Sequence, residues 1–155
     1  MNSFRKKIIG VILLFLFISC SLESKFSLPN DEKIQTDLIG EWSGQENGNE
    51  LLIIEKNTDQ TYKLIIVEKE KKEELIAFSK SINGFNIMNV ITENDDKVTN
   101  VFYGFSIEGN TLTFSVVNEK LREGEFNSET ELFNFFQENV SKKEFFINPI
   151  KLKRI

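Results

Sequence analysis

The chain has no histidine, one cysteine and two prolines. Each scarcity excludes something. Without histidine, the usual general base, the usual triad base and the commonest metal ligand are missing together. With Cys20 as the only thiol, no internal disulfide can form, and an apolar core must hold the fold. No nucleophile elbow, phosphate-cradling glycine loop or zinc-ligand spacing occurs. These gaps argue against an enzyme and predict neither a metal nor a cofactor.

The N-terminus is the most informative stretch. Arg5, Lys6 and Lys7 precede an apolar run from Ile8 to Ile18, broken only by Gly10, and no acid occurs before Glu23. The run is too short to span a bilayer as a mature helix and has the layout of a secretory signal. It ends in Phe17-Ile18-Ser19-Cys20, and a small residue followed at once by cysteine resembles the lipobox of bacterial lipoproteins. That resemblance implies cleavage after residue 19, a diacylglyceryl thioether on Cys20 and acylation (typically palmitate) of the freed amine. Two or more acyl chains hold a protein stably at a bilayer without a transmembrane helix. Ser21, where aspartate would favour inner-membrane retention, implies an outer-membrane address within the cell envelope.

Removing residues 1–19 leaves one domain's worth of chain. Sixteen basic residues then face 24 acidic ones, a formal charge of −8 that repels nucleic acid. Twelve of the 15 phenylalanines remain, so the core is expected to be aromatic and aliphatic. Residues 20–37 read as the lipidated cysteine and a polar tether, with Asn30-Asp31-Glu32 placed to cap a short helical turn through Leu38.

Residues 38–155 read as the folded domain. From Ile39 the hydrophobic period is two, with turn residues recurring about every ten positions. Strands are expected over 39–45, 50–56, 61–69, 75–80, 85–92, 98–107 and 111–118. Asn83-Gly84 suits a tight hairpin turn. The charged run Glu68 to Glu74 reads as a long hairpin tip. Ser128-Glu129-Thr130-Glu131 fits a capping box, opening a helix with Leu132, Phe136 and Val140 on one stripe. A closing strand follows over 143–155, with Pro149 at a bulge or an edge. The expected fold class is mainly β, an antiparallel up-and-down barrel of about eight strands with one α-helix before the last strand.

Gly40-Glu41-Trp42 resembles the opening of lipocalin-like barrels, where glycine and tryptophan close the barrel base beneath a late arginine. Arg154, in the last strand, is the matching residue, and all three roles are structural. The helix falls before the closing strand, whereas typical lipocalins carry theirs after it. An eight-stranded barrel can hold one small ligand or be filled by its own side chains. Phe78, Phe85, Phe105 and Phe114 can line such a cavity or fill it, and the helix bearing Phe136 is expected to cap one barrel opening. Two functions follow: a lipid-anchored carrier of a small apolar or amphipathic ligand, or a solid-barrel lipoprotein that engages an envelope or host protein. The clusters Glu68–Glu74 and Glu93–Asp96 read as solvated turns.

Overall fold

The computed structural model describes residues 21–44 and 50–155. The signal segment and the lipidation expected at Cys20 lie outside the described residues. Nine strands are present: β1 (Glu23–Ser24), β2 (Gly40–Ser43), β3 (Glu50–Lys56), β4 (Tyr62–Glu68), β5 (Lys71–Ile82), β6 (Phe85–Asn94), β7 (Lys97–Glu108), β8 (Thr111–Val117) and β9 (Phe146–Arg154). The helix α1 (Glu129–Asn139) precedes β9. β2 to β9 pair antiparallel in chain order, and β9 pairs with β2, closing an eight-stranded barrel that leaves no free edge among them.

Tight turns set the meander. Asn83 and Gly84 have φ of 52° and 83°, the left-handed geometry that a two-residue hairpin turn requires. The charged run after Glu68 differs from its expected loop. Only Lys69 and Glu70 turn, and Lys71 to Glu74 belong to β5. Opposite charges meet across the ladder at Glu68 and Lys71, and cross-strand pairing outweighs low strand propensity. In β9, Ile147 faces Val116 while Ile150 faces Phe114, so one extra residue bulges at Asn148-Pro149.

Two apolar clusters stabilise the fold. One fills the barrel and includes Leu38, Trp42, Ile54, Tyr62, Leu64, Met88, Tyr103, Phe105 and Phe114. The other joins Leu132, Phe135, Phe136 and Val140 of the helix to Phe78, Ile82, Ile87 and Phe102 of β5 to β7. Those strand residues alternate with the inward Ala77, Met88, Val101 and Tyr103, so they lie on the outer wall. The helix therefore covers the barrel's side, correcting the expectation that it caps an opening. Its start is a variant of the expected capping box. Ser128 Oγ accepts from Glu131 N at 3.1 Å, while the Glu131 carboxylate accepts from Asn127 N at 2.7 Å, one residue before the cap.

Residues 21–35 correct the tether reading: they form a belt packed on the barrel. Ser21, Leu22, Ser24 and Leu28 are buried. The belt enters where β7 and β8 diverge, with Leu22 N donating to Val117 O at 3.3 Å and Leu22 O accepting from Phe102 N at 3.2 Å. Leu28 N then donates to Asn89 Oδ1 at 3.0 Å. Farther on, Lys80 bonds Asp31 at 2.8 Å and pairs with Glu32 at 2.9 Å, and these acids hold its ammonium above the usual lysine range. The expected helical turn from Asn30 shrinks to a 3-10 turn at Thr36–Leu38, which no side chain caps.

Candidate functional site

One end of the barrel is sealed. Gly40, Trp42 and Arg154 meet there, with the Arg154 guanidinium 4.1 Å from the Trp42 ring centre. Trp42 Nε1 donates to Leu38 O at 3.0 Å, and Arg154 donates to Ile39 O at 2.9 Å and Asp37 O at 2.6 Å. Gly40 has φ of 147°, and a Cβ there would collide with the Arg154 guanidinium, so both backbone and space demand glycine. Beside them, Tyr62 Oη receives Gln35 N at 2.7 Å and lies 3.0 Å from Ser79 Oγ. The base is a packed, hydrogen-bonded floor.

The five phenylalanines named as cavity lining separate. Phe105 and Phe114 belong to the barrel-filling cluster, with ring centres 6.3 Å apart. Phe78 and Phe136 belong to the outer-wall cluster. Phe85 is 40% exposed and leans toward Phe146 at 6.0 Å between ring centres. Phe78, Phe85 and Phe136 thus do not line the barrel interior. The cause is strand parity: β5 and β6 are apolar on both faces, and the helix covers the outer one.

The other end carries charge. Reading β3 from its middle outward, Ile54, Leu52 and Glu50 face inward; on β4 the matching residues are Leu64, Ile66 and Glu68; on β5 they are Leu75, Glu73 and Lys71. The wall passes from an apolar row, through a mixed one, to a charged rim. A cavity of about 330 Å³ lies there, lined by Ile66, Glu68, Lys71, Lys72 and Glu73.

Glu50 is the unusual member of that rim. It is only 6% exposed, yet its carboxylate has no hydrogen-bond or ion-pair partner among the described residues. Its cross-strand neighbour is another acid, Glu68. Burial, and secondarily Glu68, push its pKa above the usual carboxylate range. Lys71 pairs across from Glu68, one strand farther on, and Lys72 Nζ lies 3.5 Å from Glu74. Glu50 was not singled out from sequence. The legible signal was its place two residues before the inward pair Leu52 and Ile54.

Elsewhere, Glu131 is held below the usual carboxylate range, first by Asn127 N and then by Arg122. Among the described residues, no group of three or more histidine, cysteine or acidic side chains is placed to hold a metal ion. No helix among them is long and apolar enough to cross a membrane. No protein-family model, curated protein or solved structure matches this chain.

Proposed function

We propose that this protein is a non-enzymatic lipoprotein of the bacterial envelope, anchored through Cys20 at the outer membrane, whose barrel binds a small amphipathic ligand at its charged end. The observation that carries the binding role is the 330 Å³ cavity set where an apolar barrel wall meets a charged rim. An amphiphile presents the same order of chemistry, with an apolar tail below a polar head. The anchor rests on the basic, apolar and cysteine order of residues 1–20.

Intact-mass measurement and detergent partitioning test the anchor. The native chain is expected to carry diacylglycerol and acyl mass on Cys20 and to enter the detergent phase, whereas Cys20→Ser stays an uncleaved precursor or becomes soluble. A processed Cys20→Ser protein in the detergent phase would refute it. Titration with an amphipathic fluorescent probe tests the binding role. The solidly packed sealed end favours the alternative, a barrel that engages a protein partner, and that reading gains if no probe binds.

A further inference from the structure

The charged rim can be read for the chemistry of its ligand, an inference that rests on the ligand-binding role above. Glu50 and Glu68 stand directly opposite each other on neighbouring strands. Like charges in that relation are destabilising, and burying a carboxylate without a partner adds to the cost. On its other side, the register of β2 against β3 ends at Ser43 and Leu51, and Ser43 Oγ reaches only the backbone oxygen of Glu50, at 3.1 Å. Lys71 is placed to serve Glu68 rather than Glu50. Counting Glu73 in the row beneath, three inward carboxylates face one inward ammonium in this patch, because Lys72 is engaged with Glu74.

We propose that the open end of the barrel binds the ammonium group of a cationic amphiphile, with Glu50 as its principal counter-ion and Glu68 as its second. The apolar tail lies over Ile66 and Leu52 toward Leu64 and Leu75. A cation between the two acids would relieve their repulsion and supply the partner that Glu50 lacks. An anionic head would meet the same acids as repulsion, and a neutral head would leave Glu50 unpaired.

The test compares three ligands of equal chain length: octylammonium, octanol and octanoate. The chain is used as the cell makes it, held in zwitterionic nanodiscs where it needs them, with empty discs subtracted. Octylammonium is expected to bind at least about tenfold more tightly than octanol, a difference of about 1.4 kcal/mol, with octanoate the weakest. Glu50→Gln should bring octylammonium and octanol to equal affinity, and Glu68→Gln should narrow the gap part-way. Each variant is checked for the parent's circular dichroism, and if Glu50→Gln does not fold, the Glu68→Gln comparison decides. Equal binding of octylammonium and octanol by the parent overturns the cationic assignment while leaving the ligand-binding role intact. So does a preference unchanged in the folded variants. Binding of none of the three overturns the ligand-binding role itself.

Discussion

Arg154 and Trp42 are cross-strand partners whose contact joins the last barrel strand to the first. The guanidinium also binds two backbone carbonyls of the segment that covers the barrel base, those of Ile39 and Asp37. One side chain therefore links closure of the barrel to sealing of its floor. Trp42→Ala should cost roughly 3–5 kcal/mol, as for a buried aromatic. Arg154→Ala should cost about 1.5–3 kcal/mol from its charged hydrogen bonds. Urea denaturation of each variant checks both values, and an unchanged midpoint in Trp42→Ala would rule out the closure role.

Phe136 separates a wall covering from a moving cap. Its ring meets Phe102 edge-on at 5.2 Å and Phe145 at 5.5 Å, inside the outer-wall cluster. Phe136→Ala should lower stability by about 3–5 kcal/mol and leave the affinity of the folded protein for an amphipathic probe unchanged. Lost affinity without lost stability would mean that the helix gates the cavity.

Ser21 bridges the fork between β7 and β8. Its hydroxyl donates to Phe102 O and accepts from Val117 N, the latter at 3.0 Å. Ser21→Ala leaves both groups without that partner in a buried place and should cost about 1–3 kcal/mol. Hydrogen exchange at the Val117 amide should quicken in the variant. Unaltered exchange there would show that the hydroxyl is dispensable.

Glu50 links stability to pH with a definite sign. Its folded pKa is raised, so the folded state holds this proton more tightly than the unfolded chain does. Stability therefore falls as pH rises from the unfolded pKa, about 4.3, through the folded one, and the penalty persists above that window. Glu50→Gln should melt close to the parent near pH 4 and at a higher temperature than the parent near pH 8. A variant less stable than the parent at pH 8 would assign the carboxylate a structural role instead.

Much of the architecture was legible because it is local. Period-two alternation located β3, β4, β7 and β8, and Asn83-Gly84 marked its hairpin through backbone geometry alone. Ser128 marked the helix start because capping needs only neighbouring residues. Lys71 to Glu74 were missed as strand because their pairing depends on β4, which composition does not reveal.

By itself, the sequence determined a closed antiparallel meander with one helix before its last strand, since strand period, turn chemistry and helix capping are short-range properties. Only the tertiary structure decided which face of each strand points inward. Alternation shows that Phe78 and Met88 lie on opposite faces where β5 and β6 meet, but both faces are apolar, and only barrel curvature and the helix outside assign them. The polar residues from Ser21 onward became a belt because the fork of β7 and β8 leaves backbone groups that a nearby chain can satisfy. Glu50 acquired its unpaired, buried place from neighbours brought together by closure. No local pattern encodes such a neighbourhood, because it is a property of the ring of strands.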